Sequence, residues 1–206
     1  MSSDGPLPLY ADGALIVVDK PAGLLAVPGR GPDKQDCLVT RLQGRWPGAR
    51  TVHRLDEATS GLMVFALGLA EQRALSRAFE RREVGKGYVA VVDGRVADDR
   101  GAIDLPIGAD WAERPRRRID HATGRAALTR WRVLDRGATT TRLALEPLTG
   151  RTHQLRVHLA AIGHPIIGDR LYGGFDAPRL LLHASALRFV HPTSGETLAF
   201  ESPPPF

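Results

Sequence analysis

The apolar residues of this chain fall in short runs, and that restricts its fold more than any other feature. "GLMVFAL", "YVAVVDG", "AALTRWRVLD", "TTRLALEP", "RLLLHASALRFVHP" and "TLAFESP" are of strand length, alternating or rich in β-branched residues. "ALIVVDKPAGLLAVPG" reads as a further strand, a Pro/Gly turn and a second apolar run. "AALTRWRVLD" and "TTRLALEP", joined by a glycine-containing link, predict an antiparallel pair. Helical spacing is confined to three stretches. "CLVTRLQGRW" is the shortest. "LAEQRALSRAFERREVGKG" brings Leu69, Leu75, Ala78 and Phe79 near one face, crowds basic residues into its last turn and stops at Gly85 and Gly87. "RTHQLRVHLAAIGHP" carries Leu155, Leu159 and Ile162 at i, i+4 and i+7 and ends at Gly163, before Pro165. No repeat, low-complexity tract or linker interrupts the series. The expectation is an α+β fold: a mainly antiparallel mixed sheet flanked by helices, with a lead over residues 1–13 and one domain over residues 14–206.

Composition narrows the setting. Apolar residues make up 43% and charged residues 25%, as in ordinary globular chains. No run approaches the ~20 apolar residues of a membrane-spanning helix. "MSSDGPLPLYADG" lacks the basic start and long apolar run of a secretory signal. Cys37, the single cysteine, can form no internal disulfide. These features fit a reducing cytoplasm and no membrane partner. Lys+Arg number 28 against 23 Asp+Glu, a formal +5, and most of the excess is arginine. Guanidinium forks match phosphate and stack on bases, so the excess suits nucleic acid, although a solvated basic face gives the same count.

Seven histidines raise a metal reading, but their spacing opposes it. His153 and His158 lie five apart, on different sides of a helix. His183 and His191 sit in strand-like surroundings with no acidic neighbour. No metal site is expected. Neither a nucleophile elbow nor a phosphate loop is present. Two segments remain. In "HRLDEATSG", Asp56 precedes a Thr-Ser-Gly turn into the strand "LMVFAL". Taken alone, it reads more readily as a turn cap than as a reactive carboxylate. In "PLTGRTHQLRVHL", Leu155, Leu159 and Ile162 point toward a core, whereas His153, Arg156 and Ala160 line another side. That face is either a ligand surface or a solvated one.

Together the two segments resemble the RluA family of RNA pseudouridine synthases. That family's His-Arg-Leu-Asp-x-x-Thr-Ser-Gly stretch is matched without a gap over residues 53–61. Its Lys-x-Tyr is matched by Lys86-Gly87-Tyr88, and its Gly-Arg-x-His-Gln-Leu-Arg-x-His by residues 150–158, which "GHPIIGDRLYG" continues. "DLPIGADWAERPRRR" is similar to a stretch of the short, dual-specificity members. These modify uridines in a tRNA anticodon stem-loop and in a large-subunit (23S) rRNA hairpin. Only about a dozen residues precede the first strand, so no separate N-terminal RNA-binding domain is expected.

The resemblance implies the pseudouridine synthase catalytic fold and an isomerisation: the glycosidic bond of a uridine breaks, the base turns, and its C5 bonds to the same ribose carbon. No electrons are exchanged, so neither cofactor nor metal is implied. Asp56 becomes the catalytic carboxylate, attacking C1′ or taking a proton from C2′. Arg156 resembles its ion-pair partner, and Tyr88 the active-site tyrosine that stacks on the freed uracil. Arg54 resembles the residue beside the vacated RNA position. His53 is expected to orient the loop or touch phosphate, and Lys86, Arg114, Arg116, Arg117, Arg118 and Arg151 to contact RNA. Monomeric action is the default. The alternative is a non-catalytic RNA-binding or ribosome-assembly factor on the same fold.

Overall fold

The computed structural model describes residues 7–206. In chain order its elements are β1 (Pro8–Ala11), β2 (Leu15–Lys20), α1 (Leu38–Arg45), β3 (Arg50–Thr51), β4 (Ser60–Ala66), α2 (Leu69–Glu80), β5 (Gly85–Asp93) and β6 (Arg100–Asp104). They continue with β7 (Ile107–Ala109), β8 (Arg117–Ile119), β9 (Leu128–Arg136), β10 (Thr140–Pro147), α3 (Gln154–Ala161), β11 (Leu182–Val190) and β12 (Thr197–Glu201). Two compact units result. One takes the chain up to Lys86 together with Ala184–Pro205; the other takes Gly87–His183 and Phe206.

In the first unit the strands run β1-β2-β4-β11, with β12 on β11 and β3 on β4. β2 and β4 pair antiparallel from Leu15↔Ala66 to Lys20↔Gly61. One sheet face supplies Leu15, Val17, Leu62, Val64, Ala66, Leu187 and Phe189 to a core closed by Leu75 of α2. The alternate residues Ile16, Val18, Met63 and Phe65 are buried too. That two-sided burial is why "GLMVFAL" is continuously apolar. The lead expected over residues 1–13 contains β1, which pairs with β2; residues 1–6 lie outside the described residues.

In the second unit the order is β5-β10-β9-β6, and β7 pairs with β8 in a separate hairpin. The predicted antiparallel pair is β9 with β10, in register from Pro147↔Thr129 to Thr141↔Arg136 with one irregularity between Arg142 and Leu143. The amphipathic expectation for α3 needs correction. Leu155 and Leu159 are buried, but so are Gln154, Arg156 and His158, whereas Ile162 is 37% exposed. The helix can be buried almost all round because each polar side chain finds partners. Gln154 takes Thr149 Oγ1 and the Arg151 N–H on its carbonyl and donates to Leu128 O and Thr129 Oγ1. His158 reaches Thr129 Oγ1 and Leu105 O, both at 2.9 Å.

Candidate active site

The turn carrying Asp56 is held from below. Thr59 donates its N–H to Asp56 O at 3.1 Å, closing the turn that ends at the buried Thr59 and Ser60. Gly23 N–H and Lys20 Nζ both donate to Glu57 O, at 2.8 and 3.0 Å. Lys20 is fully buried and also donates to Pro21 O and Leu24 O. An ammonium in that position satisfies three carbonyls with its three protons. Gly61 then enters β4 at φ 117°, and a Cβ there would stand 2.3 Å from Ala184 O. The Thr-Ser-Gly turn therefore needs glycine for both its conformation and the close approach of β11. On this support the Asp56 side chain is partly exposed and Arg54 is exposed.

His53 fixes the other end of the loop. β3 pairs with β4 only through Arg50↔Ala66 and Thr51↔Phe65. The next N–H along that edge, Val64, donates to His53 Nε2 at 3.0 Å, so an imidazole stands in for a strand carbonyl. The ring stacks on Phe79 of α2 at 4.4 Å between centroids. Burial, with a smaller contribution from the nearby Lys86 charge, pushes its pKa from 6.5 down to about 3. His53 is thus a neutral acceptor, and of its two expected roles the geometry describes the orienting one. Burial, then the Arg82 charge, also lowers the Lys86 pKa.

In the second unit Arg156 is 5% exposed and grips Asp169, Nε to Oδ2 and Nη2 to Oδ1, both at 2.7 Å. Its guanidinium also lies 5.2 Å from the ring centre of Tyr172. Tyr172 organises this region. Its hydroxyl pairs with His153 Nδ1 at 2.7 Å and accepts the Arg117 N–H at 2.8 Å, while Arg116 stacks at 5.6 Å from its ring centre. His153, at φ 57°, turns the chain into α3, so its strained backbone and its side chain serve one junction. Tyr88 lies on β5 opposite Leu145, half-buried.

The arginines expected at RNA divide by what they touch. Arg116 is bonded to Glu113, Arg118 lies 3.8 Å from Asp120, and Arg151 donates Nε to Ala126 O. Arg114 lies over the Trp111 ring at 4.1 Å. The Nε groups of Arg116 and Arg117 are shielded and have no hydrogen-bond acceptor. Of the proposed residues, Arg156, Arg116 and Arg117 gather at Tyr172, and His53 and Lys86 lie close together. His53, Arg54, Asp56 and Lys86 belong to the first unit; Tyr88 and the remaining arginines belong to the second.

Sequence reasoning passed over Lys20, Asp169 and Tyr172. The only available signal for the last two was the motif continuation "GHPIIGDRLYG". His191 also corrects the reading that it has no acidic neighbour. It donates Nε2 to Asp12 Oδ2 at 2.9 Å while Nδ1 accepts from Thr193 and Ser194. Among the described residues, no group of three or more His, Cys, Asp or Glu is gathered to hold a metal ion, and no helix is long and apolar enough to cross a membrane.

The chain is similar to known proteins in both sequence and fold. The family described as RNA pseudouridylate synthase matches residues 14–161. The dual-specificity RNA pseudouridine synthase RluA of Escherichia coli K12 is 47% identical over 203 residues, covering 96% of this chain and 93% of its own. The protein of that name from Yersinia pestis is 48% identical over 198 residues, covering 94% and 96%. Among solved structures, human RNA pseudouridylate synthase domain containing 1 has a TM-score of 0.83 at 33% identity, covering all of this chain and 86% of its own. The match extends through both units, and with it the chain belongs to the RNA pseudouridylate synthase family: it is an RNA pseudouridine synthase, an isomerase.

Proposed function

We propose that the enzyme isomerises uridine to pseudouridine in a tRNA anticodon stem-loop and in a large-subunit (23S) rRNA hairpin, as a cytoplasmic monomer, with Asp56 as its catalytic carboxylate. The observation that carries the assignment to Asp56 is its support. A buried lysine and a strand-entry glycine fix the backbone on either side of a partly exposed carboxylate, an expensive arrangement for a mere turn cap. The dual target rests on relatives named dual-specificity and similar along nearly their whole length.

In this reading the target uridine leaves its stack and enters the site, where Asp56 meets the ribose at C1′ as nucleophile or at C2′ as base. The N1–C1′ bond breaks, the uracil turns, C5 bonds to C1′, and the C5 proton is lost as N1 regains one. Atoms balance with no outside reagent. Arg156 is the ion-pair partner of Asp56. Asp169 engages one edge of its guanidinium, and a fork with five donors has capacity for a second carboxylate. Tyr88 stacks on the freed base, and its hydroxyl assists removal of the C5 proton. Arg54 takes the RNA side of the vacated position, and Lys86, Arg114, Arg116, Arg117, Arg118 and Arg151 contact the backbone.

Asp56→Asn is expected to abolish product while leaving affinity for an anticodon stem-loop hairpin within about a factor of two. Turnover retained by the variant would refute the role of Asp56. Pseudouridine mapping in tRNA and rRNA from cells with and without the gene identifies the targets; loss confined to one RNA would refute the dual target.

A further inference from the structure

We infer that the tip of the β7–β8 hairpin is a stacking platform for an unpaired base of the RNA, distinct from the target uracil, with Trp111 as the surface the base lies on. The inference rests on the reading of the substrate as RNA. Trp111 is 72% exposed, whereas Trp46 and Trp131 are partly buried. Leaving a tryptophan in water forgoes the burial of a side chain that usually removes ~150–250 Å² from solvent. Here it is also held in place. Asp110 N–H bonds Arg116 O at 3.1 Å and Arg116 N–H bonds Glu113 O at 2.8 Å, so the tip is a closed turn. Arg114 covers the indole with its guanidinium, 4.1 Å from the ring centre.

The charges around the indole indicate what it meets. Glu113 is engaged by Arg116, and Asp120 takes Thr123, Ala122 and, at 3.8 Å, Arg118. Asp110 accepts the Glu113 N–H at 3.3 Å. Among the described residues Arg114 makes no salt bridge, so the guanidinium on the indole is held by no carboxylate at ion-pair distance. A bare phosphate would use the arginine and ignore the indole. A purely apolar partner would desolvate the arginine at a cost. A nucleobase on a phosphate strand uses both, the base on the indole and the phosphate beside the guanidinium.

The hairpin is also anchored on the tyrosine that carries Arg156. Arg117 pairs with Ala109 and gives its N–H to Tyr172, whose ring carries Arg156. Trp111 lies two residues beyond that rung.

The test combines Trp111→Ala and Trp111→Phe with an abasic scan along the loop of the anticodon stem-loop hairpin. Trp111→Ala is expected to weaken Kd by about 5- to 100-fold with kcat at saturating RNA unchanged, and Trp111→Phe to restore most of the affinity. One abasic position should weaken wild-type binding by a similar factor and Trp111→Ala binding hardly at all. A Kd for Trp111→Ala within twofold of wild type, or abasic penalties equal in both proteins, overturns the platform and leaves the pseudouridine reading standing. Absence of product from wild-type protein overturns that reading whatever Trp111 does.

Discussion

Arg156 and Asp169 are 5% and 4% exposed, so each compensates a charge that has left water. Removing one partner of such a pair strands the other, at a typical cost of ~3–5 kcal/mol, far more than the pair contributes as a whole. Asp169→Ala should lower stability by about that amount, read as a shift in the urea midpoint. Asp169→Asn keeps one acceptor for the guanidinium and should cost less. If Asp169 also aims Arg156, the Asn variant should lose kcat in single-turnover assays while its Kd for RNA holds. Wild-type kcat in Asp169→Asn would reduce Asp169 to a structural counter-charge. The sequence displayed Asp56, Tyr88 and Arg156 because each sits in a contiguous motif. It hid Asp169 and Lys20 because the partners that tie them to the site are set by tertiary structure: Asp169 lies 13 positions from Arg156, and Lys20 lies 37 from Glu57, whose carbonyl is one of the three it holds.

At the scale of elements, β4 with its glycine entry makes a sharp test. At Gly61 an added methyl meets the Ala184 backbone at 2.3 Å, and φ is 117°. Gly61→Ala should therefore cost on the order of 2–4 kcal/mol and displace the Asp56 turn. Gly44, inside α1, has nothing within 4 Å of such a methyl. Gly44→Ala should stabilise by about 0.5–1 kcal/mol, because alanine loses less entropy in a helix. Equal urea midpoints for the two variants would contradict the packing described. The long apolar or alternating runs were legible as β2, β4, β5, β9, β10, β11 and β12, and the three helices by their spacing. β1, β3, β6, β7 and β8 were not, being two to five residues long and largely polar or exposed. The inward polar face of α3 was equally hidden, since amphipathic reasoning sends Gln154, Arg156 and His158 to water unless their partners are known.

For the whole molecule, the division into two units left no mark in the sequence, because the chain returns: Ala184–Pro205 rejoin the unit begun at the N-terminal side, so no linker separates consecutive domains. Each unit holds a histidine that the fold keeps neutral. His53 must accept from Val64, and its pKa falls to about 3. His158 must donate to Leu105 O, and its pKa is lowered by burial, against smaller opposing pulls from Leu105 and Asp104. In the unfolded chain both titrate near 6.5. Above that pH neither state binds the proton, and the stabilisation is fully present. Below it the unfolded chain takes protons the fold refuses, so stability falls with pH, by at most about 1.4 kcal/mol per pH unit for each histidine, until the folded pKa is reached. Asp12 adds a loss only in stronger acid. Burial alone would raise its pKa, but hydrogen bonds from Ala14, Tyr10, Leu15 and His191 outweigh that and hold it at about 2, against 3.8 unperturbed. The urea midpoint should thus be flat above pH 6.5 and decline between 6.5 and about 4, before carboxylates contribute. His53→Gln offers an oxygen to the Val64 N–H without a titrating site, so its midpoint should fall less steeply over the same range. Parallel slopes for wild type and His53→Gln would mean that His53 is not the group whose protonation unfolds the protein.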